Sequence, residues 1–401
     1  MSLLVGIRVI DAASFVAGPA AATVLADFGA DVIKIEPPGR GDSYRDRSGP
    51  DNPQIDVNYA WLLDNRNKRS LALNLKDPAG RDVLNTLVQQ ADIFVTNLPL
   101  PVRARLQIRW EDLQPQNERL IYASISAYGE QGPDASRTGF DSTALWARTS
   151  LMDMVKPSPD SAPSRSLPAM GDHPTAMSLF GGIMAALYQR ERTGLGDYVS
   201  TSLMANGVWW NGLQIQAMLC GGRYRARPPR EDAANALQNL YRAEDGRWFQ
   251  LACNPEDKHW PLLLGVIGQP DLAEDQRFAT RAVRHAHARE LIGILDECFA
   301  SRPWSAWQES FAGVGLTAGV VQTLEDVVAD PQMFASDVLT PLPPTTDGPT
   351  HTVNSPVWVH GAPKVTPRDA PALGQHTDEI LREAGLSDDK ISTLRRNATI
   401  Q

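Results

Sequence analysis

Hydrophobic and polar positions in the first half of the chain switch between two periods. The run "GIRVIDAA" has the β-branched character of a buried strand. "GPAAATVLADFGA" then reads as a helix, with Pro19 in its first turn and Gly29 near its end. "DVIKIEPP" gives a second strand stopped by prolines. A helix from Asp77 to about Ala91, the strand "DIFVTN", a helix near "WEDLQPQN" and the strand "RLIYASIS" continue the alternation. Strands that alternate with helices predict βαβ units and a parallel sheet covered on both faces, an α/β fold of Rossmann-like type. From Asp172 to about Tyr188 apolar residues are nearly continuous, which predicts a helix buried within the protein. "RTGLGDYVSTSL" then turns at glycine into a strand, and a helix rich in Trp and Met runs to about Cys220.

At Gly221 the texture changes. "GGRYRARPPREDAAN" is polar and rich in Arg and Pro, which predicts a linker over residues 221–235. "NLYRAEDGRWFQLAC" has the alternation of a β-hairpin with Asp245-Gly246 at its turn. Helices near 256–266, 285–300 and 304–313 complete a smaller α+β domain over residues 236–330. A proline-rich piece from Leu339 to Pro371 leads out of it, and "HTDEILREAGLSDDKISTLRR" closes with short helices. The expected division is therefore 1–220, a linker at 221–235, 236–330, and a return segment at 331–401.

Composition narrows the function. With 401 residues and a net charge of -9, the chain suits a globular enzyme and lacks the basic face that nucleic-acid binding requires. Cys220, Cys253 and Cys298 are far apart and form neither a disulfide framework nor a zinc pair. Of the histidines, only His285 and His287 are close in sequence, and their spacing predicts no metal site. The opening "MSLLVGIRVIDAASF" is unlike a signal peptide, and the most apolar run, Ala176 to Tyr188, falls short of the roughly 20 residues that span a bilayer. A cytoplasmic protein without a membrane partner is expected. The first strand-to-helix turn, "ASFVAGPAAA", lacks the glycines that let a dinucleotide pyrophosphate approach the backbone, and P-loop, zinc-protease and nucleophile-elbow motifs are missing too.

One acidic residue stands out. Asp172 precedes the apolar helix in "GDHPTAMSLFGGIMAALY", with Pro174 two residues on. The plain reading is an N-cap, which contributes roughly 1 kcal/mol to a helix. The functional reading uses the same placement, because a helix N-terminus favours an ionised carboxylate and its N–H groups can receive a developing oxyanion. The residues alone leave both open.

Four stretches together resemble the class III CoA-transferase family, the formyl-CoA transferase and carnitine and bile-acid CoA-transferase group. They are "GIRVIDAASFVAGPAAATVLADFGADVIKIEPPGRGDSYR", "NRNKRSLALNLKDPAGRDVLNTLVQQADIFVTN", "AMGDHPTAMSLFGGIMAALYQRERTGLGDYVSTSLM" and "LGQHTDEILREAGLSDDKISTL". The resemblance implies that Asp172 is the nucleophile, both cap and catalyst. It implies CoA contacts at Val16, Ala17, Leu73, Asn74, Leu75, Lys76, Asn97, Leu98, Arg105 and Arg137, and an acyl pocket involving Phe140 and Asp141. Lys76, Arg105 and Arg137 make physical sense there, since CoA phosphates need cations. The resemblance implies no tightly bound cofactor and no metal, with CoA and acyl-CoA entering as substrates. It also implies a homodimer of interlinked subunits, each with a large Rossmann-like domain built from both chain ends and a small domain between them.

Departures from the family pattern matter. Formyl-CoA transferase carries a glutamine where Val16 stands and a Tyr-Glu pair where Phe140 and Asp141 stand, and its glycine-rich covering loop has no counterpart, so oxalate is not the expected acceptor. α-Methylacyl-CoA racemases share the outline and use the His of a "GHD" triplet as one base. The matching triplet here is Gly139-Phe140-Asp141, and phenylalanine accepts no proton. A transferase is expected over a racemase. Trp146 is expected to line the acyl pocket, and Trp209 and Trp210 to belong to the core.

Overall fold

A computed structural model describes residues 1–46, 55–224, 226–344 and 349–401. Position 225 of the expected linker lies outside them. The chain forms two compact units, one of Met1–Met152, Arg165–Gly222 and Gln332–Gln401, the other of Asp153–Ser164 and Arg223–Pro331.

The larger unit is built on a six-stranded parallel sheet. Its elements run β1 (Arg8–Asp11), α1 (Ala17–Asp27), β2 (Asp31–Glu36), α2 (Tyr59–Asn65), β3 (Arg69–Ala72), α3 (Pro78–Val88), β4 (Ile93–Thr96), α4 (Leu100–Leu106), α5 (Trp110–Leu113), β5 (Ile121–Ser126), α6 (Leu151–Met154), α7 (Asp172–Thr193) and β6 (Tyr198–Ser202). The strand order is β3-β2-β1-β4-β5-β6. This is the doubly wound order whose strand sequence reverses beside β1, where open α/β sheets bind ligands beyond the strand C-termini.

The two-residue period explains the layers. Val9, Val32, Ile93, Ile121 and Ala123 face one core with α1 and α7, while Ile10, Ile33, Phe94 and Tyr122 face the other with α3. Every residue of α1 is buried, and its alanines let α7 approach closely enough for Phe28 to stack on Phe180 at 5.8 Å. The second core is completed from far along the chain. α14 (Thr377–Glu383) and α15 (Asp388–Arg396) bring in Ile380, Leu381, Ile391 and Leu394, and Ile400 bridges to Leu73.

α7 corrects two expectations. It runs on to Thr193, where Gly194 ends it in a left-handed conformation at φ 76°. It is buried on one side only, through Thr175, Ala176, Leu179, Phe180, Ile183 and Ala186, whereas Gly181, Ala185 and Tyr188 are exposed. The expected Trp- and Met-rich helix is two helices, α8 (Leu203–Trp210) and α9 (Gly212–Leu219), broken at Asn211, whose amide donates to Thr149 O at 3.1 Å. Trp209 is 82% exposed and therefore not core.

The smaller unit holds an antiparallel sheet of β7 (Leu240–Arg242), β8 (Trp248–Leu251) and β9 (Ala318–Val320), with Gly246 at φ 82° in the first turn. Helices α10 (Glu256–Ile267), α11 (Arg281–Ala286), α12 (Ala288–Phe299) and α13 (Trp304–Val314) cover it around an aromatic core of Tyr241, Phe249, Phe299, Trp307 and Phe311. No helix of the described residues is long and apolar enough to cross a membrane. Nor do the described residues hold a group of three or more His, Cys, Asp or Glu side chains that could bind a metal ion.

Candidate active site

Two neighbouring clefts open at the C-terminal ends of the strands. The first, about 260 Å³, is lined by Phe15, Val16, Ala17, Asn97, Leu98, Arg137, Phe140 and Asp172 among others. The second, about 280 Å³, is lined by Leu73, Asn74, Leu75, Lys76, Leu98 and Arg105. Ser14 and Leu98 border both. Every residue for which CoA contact was expected therefore lies on one of two clefts that share a wall.

The shared wall is formed by the loops after β1 and β4, which hydrogen bonds tie together. Ser14 donates its N–H to Asn97 Oδ1 at 2.8 Å and accepts from Asn97 Nδ2 at 2.7 Å. Ser14 Oγ and the Phe15 N–H both donate to Asp42 Oδ1, at 2.8 and 3.2 Å. These bonds hold Phe15 at φ 61°, a left-handed conformation that costs a side-chain-bearing residue energy and that clusters at functional sites. Asn97 thus serves as a clamp on the loop as well as a wall of the cleft.

Below the loop lies a buried charge network. Lys34 Nζ donates to Ala13 O at 2.5 Å and pairs with Asp42 at 3.0 Å and Asp11 at 3.7 Å, all with fully or nearly fully buried side chains. Burial works against the Lys34 charge, but Asp11, Asp42 and Glu36 outweigh it and raise its pKa above the ordinary value. Lys68 donates to Asp11 at 2.8 Å and to Pro19 O, Asp64 O and Asn65, and burial brings its pKa down to about 8.

Asp172 is not the cap. Gly171 occupies that position, no side chain caps the helix, and Asp172 is the first helical residue. Gly171 sits in a tight contact, because a Cβ there would lie 3.0 Å from both Asp141 Cβ and Leu145 Cδ1. The Thr175 hydroxyl turns back to donate to Gly171 O at 2.7 Å, leaving the Asp172 carboxylate on the cleft. Burial, then the charges of Asp141 and Asp64, raise the Asp172 pKa to about 7, with His173 opposing them.

Asp141 is corrected in position. It does not line the cleft but lies behind Gly171, whose N–H donates to Asp141 Oδ2 at 3.4 Å. Asp141 opens a π-helical stretch, Asp141–Ala147, a form that recurs at functional sites. Phe140, 60% exposed, stands at the cleft with Phe15 edge-on at 5.8 Å. Trp146 does not line the cleft either; it packs with Tyr128, Leu145 and Leu203. The expected cations differ. Lys76 and Arg105 are exposed on the second cleft, whereas Arg137 lies 3.7 Å from Asp134 and over the Tyr128 ring.

Sequence reasoning missed Ser14, Asp42 and the buried Arg103, which lines the first cleft, donates to Leu98 O at 2.5 Å and pairs with Glu130 at 2.7 Å. Asp42 alone had a local signal, as the cap of the short helix Ser43–Arg45 in "GRGDSYR".

The profile of CoA-transferase family III matches residues 4–377. The chain belongs to this family. As a family III CoA-transferase it is an enzyme whose substrates are CoA thioesters. It is 31% identical to the (R)-2-hydroxy-4-methylpentanoate CoA-transferase of Clostridioides difficile over 100% of both chains. It is 30% identical to the cinnamoyl-CoA:phenyllactate CoA-transferase of Clostridium sporogenes, over 98% of this chain and 96% of the relative. Among solved structures it is similar to a CaiB/BaiF family protein from Brucella suis, at 29% identity and a TM-score of 0.84, covering 96% of this chain and 99% of the other.

Proposed function

We propose that Asp172 carries CoA from an acyl-CoA donor to a free carboxylic acid as an aspartyl-CoA thioester. The observation that carries this reading is the Asp172 carboxylate, borne on the first turn of α7 and lining the first cleft. One cleft is then suited to the thioester end of CoA, near Asp172, Val16 and Ala17. The other, with Lys76 and Arg105, is suited to its phosphates.

The chemistry balances without a further reagent. An Asp172 oxygen attacks the thioester carbonyl, the C–S bond breaks, and a mixed anhydride and CoA thiolate result. The thiolate attacks Asp172 Cγ and releases the donor acid, leaving the aspartyl thioester. The acceptor carboxylate attacks that thioester and expels the thiolate, which then attacks the acceptor acyl carbon and frees Asp172. The buried apolar walls formed by Val16 and Leu203 are suited to limiting water at the anhydrides. A racemase reading needs a second base, and Phe140 supplies none.

The same proposal includes a homodimer in the cytoplasm. An apolar surface on α8 and α9, with Trp209, Leu213 and Leu219 exposed at 82%, 81% and 76%, supports association with a second copy.

The test is peptide mass spectrometry after incubation with acetyl-CoA or succinyl-CoA and trapping with hydroxylamine. A hydroxamate on the peptide bearing Asp172 is expected. An unmodified peptide with every donor, accompanied by α-proton exchange into deuterated solvent, would overturn the reading in favour of racemisation.

The pH profile follows from the same group. Only the ionised carboxylate attacks, and its pKa is raised to about 7. kcat/KM is therefore expected to fall about tenfold per pH unit below that value and to level off above it. A profile flat down to pH 5 would show that Asp172 ionises as an ordinary aspartate.

A further inference from the structure

Beside the reactive carboxylate stands a pair that the transfer chemistry itself does not use. His173 follows Asp172 in the first turn of α7, and its Nε2 lies 2.9 Å from Asp64 Oδ1. Asp64, on α2, is 2% exposed, and its second oxygen has no hydrogen-bond partner among the described residues. A carboxylate so placed is costly unless a positive charge answers it.

The backbone of Asp64 is anchored. Its carbonyl accepts from Thr23 Oγ1 of α1 at 2.5 Å and from Lys68 Nζ at 2.9 Å. Two residues on, Arg66 locks α2 to α1 through a bidentate bond to Asp27 at 3.0 and 2.7 Å. The backbone that carries Asp64 is therefore anchored to α1, and the carboxylate's contact to His173 at 2.9 Å is made from that anchored position.

We propose that Asp64 and His173 are a positioning pair that holds a cation beside Asp172 in the first turn of α7, so that Asp172 ionises more readily than its surroundings would otherwise allow. The inference rests on Asp172 being the nucleophile. Four charged groups act on this arrangement. Asp64 and Asp172 favour an imidazolium at His173, Arg66 disfavours it, and Asp141 and, to a smaller extent than His173 favours it, Asp64 oppose ionisation of Asp172. Burial depresses the His173 pKa, but the hydrogen bond and charge of Asp64, with Asp172 adding to them, leave it above the ordinary histidine value. The imidazolium thus offsets the Asp141 field at the carboxylate that must attack.

The test compares acid limbs of the pH profile, read as the single-turnover release of acetate or succinate from acetyl-CoA or succinyl-CoA as CoA passes to Asp172 in the full chain, with hydroxylamine trapping at Asp172 in parallel. His173→Gln keeps a donor for Asp64 but removes the charge, and Asp64→Asn removes the partner. His173→Gln is expected to move the acid midpoint upward by about one pH unit and His173→Lys to restore it in part, whereas Asp64→Asn, which also removes a charge that itself opposes ionisation of Asp172, is expected to move it upward by less. A merely structural role would lower rate at every pH without moving the midpoint. Trapping at Asp172 with an unmoved midpoint in His173→Gln overturns the pair and leaves the nucleophile standing. Failure to trap Asp172 in the wild type overturns both. If Asp64→Asn does not fold, His173→Gln and His173→Lys decide the matter alone.

Discussion

Asp172→Asn is expected to lose roughly a thousandfold or more in kcat for CoA transfer, because the amide can form neither the anhydride nor the thioester. The same substitution is expected to stabilise the fold, and the sign follows from the titration. In the folded protein the carboxyl keeps its proton to about pH 7, whereas the unfolded chain releases it near 3.8. The neutral carboxyl's contribution to stability is complete below the unfolded value and is lost as pH rises through the folded one. Asparagine never ionises and does not lose it. The melting temperature of Asp172→Asn should therefore match wild type near pH 4, rise above it with pH, and stay above it beyond pH 7. The plateau is on the order of 2 kcal/mol, allowing for solvent reaching the cleft. Thermal melts across that range, alongside turnover with several donors, check both halves. Retention of full activity would remove Asp172 from the chemistry.

Lys34→Met is expected to have the largest effect on stability. The methionine keeps the apolar stem but leaves Asp42 buried without its ammonium partner and takes one of two cations from Asp11. Removing one member of a buried ionic group costs about 3–5 kcal/mol. Asp42 also holds Ser14 and Phe15, so the loop between the clefts should loosen and CoA affinity fall. Urea midpoints for wild type, Lys34→Met and Lys34→Met/Asp42→Asn measure this, and the double variant is expected to recover part of the loss. Equal midpoints for wild type and Lys34→Met would show that the ammonium stabilises nothing.

The sheet was legible where strands announce themselves. β1, β2, β4 and β5 carry paired apolar residues that face opposite cores, and their alternation with helices gave the parallel order. β3, "RSLA", holds one large apolar residue and becomes a strand only through its register with β2, Ile33 against Arg69 and Ile35 against Leu71. The site was legible as a set of residues but not as an arrangement. Asp172 looks like a cap in one dimension, and only the folded backbone, in which the helix starts at Asp172 itself, shows that the preceding glycine takes that place. Lys34 and Lys68 look like surface charges until the chain closes over them. His173 and Asp64 are 109 residues apart, so no local pattern pairs them.

The bridge between Leu73 and Ile400 also bears on how the molecule acquires its shape. The second cleft draws Leu73, Asn74, Leu75 and Lys76 from one side of this contact, and Asn74 N donates to Thr399 O at 2.8 Å beside it. Few contacts in the chain close a longer loop, and loop-closure entropy delays such contacts relative to local ones. The smaller unit has no such debt, because its sheet and helices lie within one continuous segment. The cleft suited to the CoA phosphates is then expected to form late in folding, after the elements on which it rests.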